Sequence, residues 1–108
     1  MLTGSQFRRM ALALPEAQES AHMGHPDFRV HRRIFATLSG EGESRGMLKL
    51  TPEQQRQWMQ AEPEVFVPAA GAWGLRGATM VELAAAQPDS VRVALEAAWR
   101  NVAPKRLL

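Results

Sequence analysis

DFRVHRRIFATLS, Asp27 to Ser39, reads as a β-hairpin. Phe28 and Val30 alternate with Arg29 and His31, the two-residue period of a strand with one buried and one solvated face. Ile34, Ala36 and Leu38 resume the alternation beyond a turn near Arg32. A tight turn between two such runs joins antiparallel neighbours, so this stretch sets the framework as an antiparallel sheet.

Downstream, Gly40-Glu41-Gly42-Glu43 is a turn or loop. Arg45 to Leu50 is a further strand, with Met47 and Lys49 on one face and Gly46, Leu48 and Leu50 on the other. Thr51-Pro52-Glu53-Gln54 is the clearest helix start: Thr51 at the N-cap, Pro52 at the first helical position and Gln54 closing a capping box. That helix carries Trp58 and Met59 and stops before Pro63. Val65 to Val67 is a short strand. In GAWGLRGAT, Gly71 to Thr79, three glycines frame Trp73 and Arg76, which predicts a shaped surface loop or a strand kink. Thr79 to Leu83 is a strand candidate. Pro88 and Asp89 open the last helix, with a stripe of Val91, Ala94, Leu95, Ala98 and Val102, and Pro104 ends it.

Upstream, Thr3 and Gln6 form a second capping box, and Phe7, Met10, Ala11 and Leu14 recur at helical spacing until Pro15. Residues 18–23 are a strand candidate. Adjacent strands with few helices predict an α+β fold: one two-layer domain over residues 1–108, an antiparallel sheet with helices packed on one face. The helices are expected to bury Phe7, Met10, Leu14, Val91, Leu95 and Ala98. Met23, Phe28, Trp58 and Trp99 read as core as well.

The composition, 45% apolar and 22% charged, is ordinary for a globular chain. The absence of cysteine excludes disulfides, thiolate catalysis and cysteine-based zinc sites. No apolar run has the length of a membrane span and the N-terminus lacks a signal-peptide pattern, so a cytoplasmic location is expected. The pI of 9.9 overstates the basic character. Net charge is only +2, and with no tyrosine or cysteine little titrates between neutral and strongly alkaline pH. Clustering matters more: Arg29, His31, Arg32 and Arg33 fall within five residues.

Several segments together resemble the MmcQ/YjbR family of small bacterial proteins. ALALPEAQES (Ala11–Ser20) is similar to its first helix ending in Leu-Pro before a strand. MGHPDFRV and RRIFATL are similar to its Gly-Pro turn and hairpin, and MLKLTPEQ to its strand leading into a Pro-started helix. FVPAAGAWGLRGATMVEL (Phe66–Leu83) and LEAAWRNVAPKRL complete the order. The family hairpin usually turns on glycine followed by lysine; here His31-Arg32-Arg33 stands there, with Arg33 in the lysine position. The resemblance implies a two-layer α+β fold of the frataxin/CyaY-like kind. It also implies the DNA-binding label that the family carries through a double-wing arrangement of hairpins.

Two groups of residues are candidates for function. Arg29, Arg32 and Arg33 on the hairpin, with Lys49 on the next strand, suit contacts to nucleic-acid phosphates. The plainer reading is a solvated hairpin face, diluted by Asp27, Glu41 and Glu43. Trp73 and Arg76 suit a planar or anionic small molecule or a protein partner; the plainer reading is a Trp packed in the core. His22 and His25, with Glu19 and His31 nearby, have metal-like spacing, but Gly24 and Pro26 explain the segment as a turn, so no metal is expected. Gly42-Glu43-Ser44-Arg45-Gly46 matches a nucleophile-elbow pattern, yet strands flank it and no histidine follows Ser44. With no carboxylate pair in an apolar setting either, the expectation is a non-enzymatic protein without a cofactor. Nucleic-acid binding leads, and a small-molecule or protein-interaction module is the alternative.

Overall fold

The hairpin turns without glycine in its two-residue loop. In the computed structural model, which describes all 108 residues, β2 (His25–Val30) and β3 (Arg33–Ser39) close around His31 and Arg32. Both turn residues have positive φ, 50° and 68°. That is the backbone of a type I′ turn, whose twist matches the strands it joins. The same device joins β1 (Ala17–His22) to β2 through Met23 and Gly24, at φ 52° and 81°.

Met23 is therefore a turn residue, 84% exposed, and not part of the core as its apolar side chain predicts. A second departure lies in β3. A bulge opposite Phe28 and Arg29 inserts Phe35, so Phe35 and Ala36 are both buried while Ile34 moves to the opposite face. Strict alternation had grouped Ile34 with Ala36 and Leu38.

β4 (Arg45–Lys49), β5 (Phe66–Pro68) and β6 (Ala78–Glu82) complete a six-stranded sheet in the order β1-β2-β3-β4-β6-β5, antiparallel throughout. The row Phe28–Ala36–Leu48–Thr79 runs across four strands and is fully buried. Helices α1 (Gly4–Leu12) and α4 (Pro88–Val102) lie on this face. α4 buries Val91, Ala94, Leu95, Ala98, Trp99 and Val102, and each large apolar side chain so buried contributes about 1.5–3 kcal/mol. α1 buries Phe7, whose ring meets Phe28 edge-on at 6.1 Å, while Met10 and Leu14 pack half-buried at the rim. The Trp99 indole donates to the Pro15 carbonyl at 3.0 Å.

The capping boxes at Thr3 and Thr51 form as the sequence predicts, and the second starts α2 (Pro52–Ala61). α2 packs Trp58 against Phe66 with ring centroids 5.0 Å apart. Asn101 of α4 donates to the Lys49 carbonyl and to Gln54, joining α4, β4 and α2. Every buried polar side chain has a partner. No helix is long and apolar enough to cross a membrane.

The segment Gly71–Leu75 is a short helix, α3, and not the loop or strand kink that its glycines predict. Its first residue, Gly71, supplies the positive φ (67°) that turns the chain into the helix.

Candidate functional site

One residue out of step with the buried row, a second row crosses the sheet: Asp27–Thr37–Met47–Met80–Val67. These side chains point to the face that α1 and α4 leave open. Ile34 and Lys49 join them through the bulge in β3 and the alternation of β4. At the β6 end, α3 brings Trp73 over this face.

Two contacts hold α3 there. Gln55 of α2, itself buried, donates to the carbonyls of Gly74 and Ala78 at 3.1 and 2.9 Å. Gly74 packs so closely on Ala69 that a Cβ would collide with the Ala69 carbonyl oxygen. The helix is thereby seated flush, and Trp73 remains 60% exposed. Lys49 Nζ lies 5.4 Å from the centre of the indole, a cation–π contact worth about 0.5–1 kcal/mol at such a site.

Beneath Trp73 is a hollow of about 300 Å³; Ile34, Met47, Ala69 and Ala78 give it apolar walls, and Thr37, Lys49 and His22 are its polar members. On the other side of Lys49 and Trp73 is a second hollow of about 330 Å³, which Arg76 lines. Trp73, Lys49 and Arg76 thus share one corner of the open face. The sequence pairs Trp73 with Arg76 and groups Lys49 with the hairpin arginines, whereas the fold sets Lys49 against Trp73. The signal for its true company was the outward register of Met47 and Lys49 in β4. The contribution of Ile34 is hidden by the bulge, whereas alternation with Ala36 and Leu38 puts Thr37 on this face.

The hairpin cations fare differently. Arg29 forms a two-pronged pair with Asp27, Nε to Oδ1 at 2.8 Å and Nη2 to Oδ2 at 3.0 Å. The Asp27 side chain is fully buried, and its carboxylate holds the Arg29 guanidinium charged beyond its usual range. Arg29 is thus committed to a structural partner. Arg32 and Arg33, at the turn, are exposed and have no carboxylate partner. Neither they nor Arg29 line the two hollows.

Beside the turn, Glu16 accepts from Arg106 at 3.0 and 2.9 Å and lies 2.8 Å from His31 Nε2. Arg106 first, then His31, lowers the Glu16 carboxyl to about 2.

The metal-like spacing does not assemble. His22 and His25 oppose each other across the first turn, but Glu19 points to the other face and pairs with Arg8, and His31 sits at the far end of β2 with Glu16. No group of three histidines or carboxylates is close enough to hold a metal ion. Ser44 lies between a turn of 3₁₀-helix at Glu41–Glu43 and β4, without the strand-to-helix turn of a nucleophile elbow.

A model of the YjbR family matches residues 12–101. A search of curated proteins found no significant match. Among solved structures, the crystal structure of the Deinococcus radiodurans protein DR2400, with a DUF419 domain, superposes with a TM-score of 0.81. It is 21% identical, and the match covers 98% of this chain and 82% of that one. At that identity the likeness speaks for the fold.

Proposed function

The chain belongs to the YjbR family, and from that premise we propose that it is a non-catalytic binding module whose site is the open sheet face beside Trp73 and Lys49. The exposure of Trp73 carries this reading. A tryptophan has more apolar surface to bury than any other side chain, yet this one stays 60% exposed on a seat that α2 and Gly74 hold in place. It stands over an apolar hollow with a few polar groups at its rim, the usual make-up of a small-ligand site, and the volume lies at the small end of that class. Its polar members, His22, Thr37 and Lys49, form no hydrogen-bonded pair with one another, which favours binding without turnover.

A fragment screen read by Trp73 chemical shifts tests the site. Hits are expected to perturb Trp73 and Met47 and to be lost with Trp73→Ala. A screen whose hits ignore Trp73→Ala, or which yields none, refutes the reading.

One observation favours nucleic acid as a second reading. Arg32 and Arg33 stand unpaired at the tip of a β-hairpin, where phosphates can reach them. Duplex DNA titrated at two salt concentrations should bind more weakly at the higher one, and Arg32→Ala with Arg33→Ala should flatten that dependence. Absence of binding at low salt excludes it.

A further inference from the structure

The hollow under Trp73 does not end at Met47. A third hollow of about 330 Å³ lies further along the open face, towards the β1–β2 turn. It shares His22, Ile34, Thr37 and Met47 with the first and adds Met80 and Met23 together with the polar His25, Asp27 and Ser39. The first hollow in turn shares Lys49, Trp73 and Ala78 with the one that Arg76 lines. The three hollows share walls and lie side by side as a trough, with the Lys49–Trp73 contact between the first two. It runs from Arg76, past Lys49 and Trp73, over Ile34 and the methionines, to His25.

The two ends differ in charge. Lys49 and Arg76, at one end, have no carboxylate partner. The carboxylates on the same face are already neutralised, Asp27 by Arg29 and Glu82 by Arg45 at 2.9 Å. An incoming anion therefore meets two free cations and no free acid at that end. The middle is Ile34, Met47 and Met80, and Met47 and Met80 are direct cross-strand neighbours. Thioether side chains adapt to irregular apolar surfaces. From β6 to β2 the floor crosses three interstrand spacings, about 14 Å, which is comparable to an extended chain of about twelve carbons.

Resting on the binding-module reading above, we infer that the trough takes an amphiphilic anion: a carboxylate held by Lys49 and Arg76, with an unbranched apolar chain laid past Trp73 over Met47 and Met80. The cation–π contact places Lys49 at the junction of head and tail, where one side of its neighbourhood is apolar and the other open to the carboxylate.

The test is a calorimetric titration of the full chain with hexanoate, octanoate and decanoate below their micelle concentrations, beside benzoate and octanol. Affinity should tighten with chain length, by up to about fourfold per methylene. Lys49→Ala with Arg76→Ala should weaken octanoate about tenfold or more and octanol far less. Met80→Glu should abolish the gain from hexanoate to decanoate without touching benzoate, and the milder Met80→Asn should reduce it, each checked for native circular dichroism. Benzoate binding at Trp73 with no chain-length gain overturns the inference and leaves the site beside Trp73 standing. Octanol binding as tightly as octanoate, or binding of none of the five, also overturns it. The site itself falls only if the fragment screen fails too.

Discussion

Gly46 lies where a side chain cannot go. A Cβ there would stand 2.7 and 2.8 Å from two ring carbons of Phe7, which is itself fully buried against Phe28. Gly46→Ala is expected to destabilise the protein by about 1–3 kcal/mol through overpacking, read as a lower urea midpoint with an unchanged slope. Gly46→Ala combined with Phe7→Leu should recover part of the loss. Glu16 sets a pH dependence. Arg106 and His31 lower its carboxyl from 4.5 to about 2, so the folded state holds fewer protons than the unfolded one between those values. The contribution is complete above about pH 4.5 and disappears as the pH falls towards 2. Glu43, lowered by Arg8, acts in the same direction. Urea unfolding at pH 6, 3.5 and 2 should show falling stability, and Glu16→Gln should flatten the fall. A Glu16→Gln profile parallel to the parent's would contradict the assignment.

At the scale of elements, the helix starts rest on short-range chemistry. Thr51 accepts from the Gln54 amide at 3.1 Å, and Gln54 accepts from the Thr51 amide at 2.9 Å. Thr51→Ala should cost about 1 kcal/mol, whereas Glu53→Ala, one turn position away and exposed, should cost much less; thermal melts of the pair decide it. The hairpin turn makes the opposite point. Arg32 holds a positive φ of 68° that glycine adopts at no steric cost. Arg32→Gly is expected to stabilise the fold by up to about 1 kcal/mol. The same substitution removes an exposed turn cation, so stability and DNA affinity should move in opposite directions if the hairpin binds nucleic acid. The element that departed most from expectation is α3. Three glycines in nine residues look like a loop, but Gly71 and Gly74 serve to enter and seat a helical turn against Ala69.

The whole molecule depends on α4, which spans β3, β4 and α1. Leu95 is buried in the middle of that contact. Leu95→Ala should cost about 2–5 kcal/mol, a large share of the 5–15 kcal/mol typical of such a domain. Circular dichroism in urea should show one cooperative transition moved to lower denaturant. The sequence by itself determined the elements whose signals are local: the capped starts of α1 and α2, the stripe of α4, the alternation of β2 and β4, and the α+β class that their order implies. These depend on bonds and periodicities within a few residues. Tertiary structure alone decided the rest. The bulge at Phe35 belongs to the pairing of β3 with β2, and it turned Ile34 from core to open face. Met23 left the core because the turn between two paired strands needed its position. Lys49 met Trp73 because Gln55, from a third element, seats α3 beside β6. The bulge and the turn follow from how neighbouring strands pair, which periodicity within one strand does not encode, and the Gln55 contacts join residues 19 and 23 positions apart, where spacing along the sequence carries no information about distance.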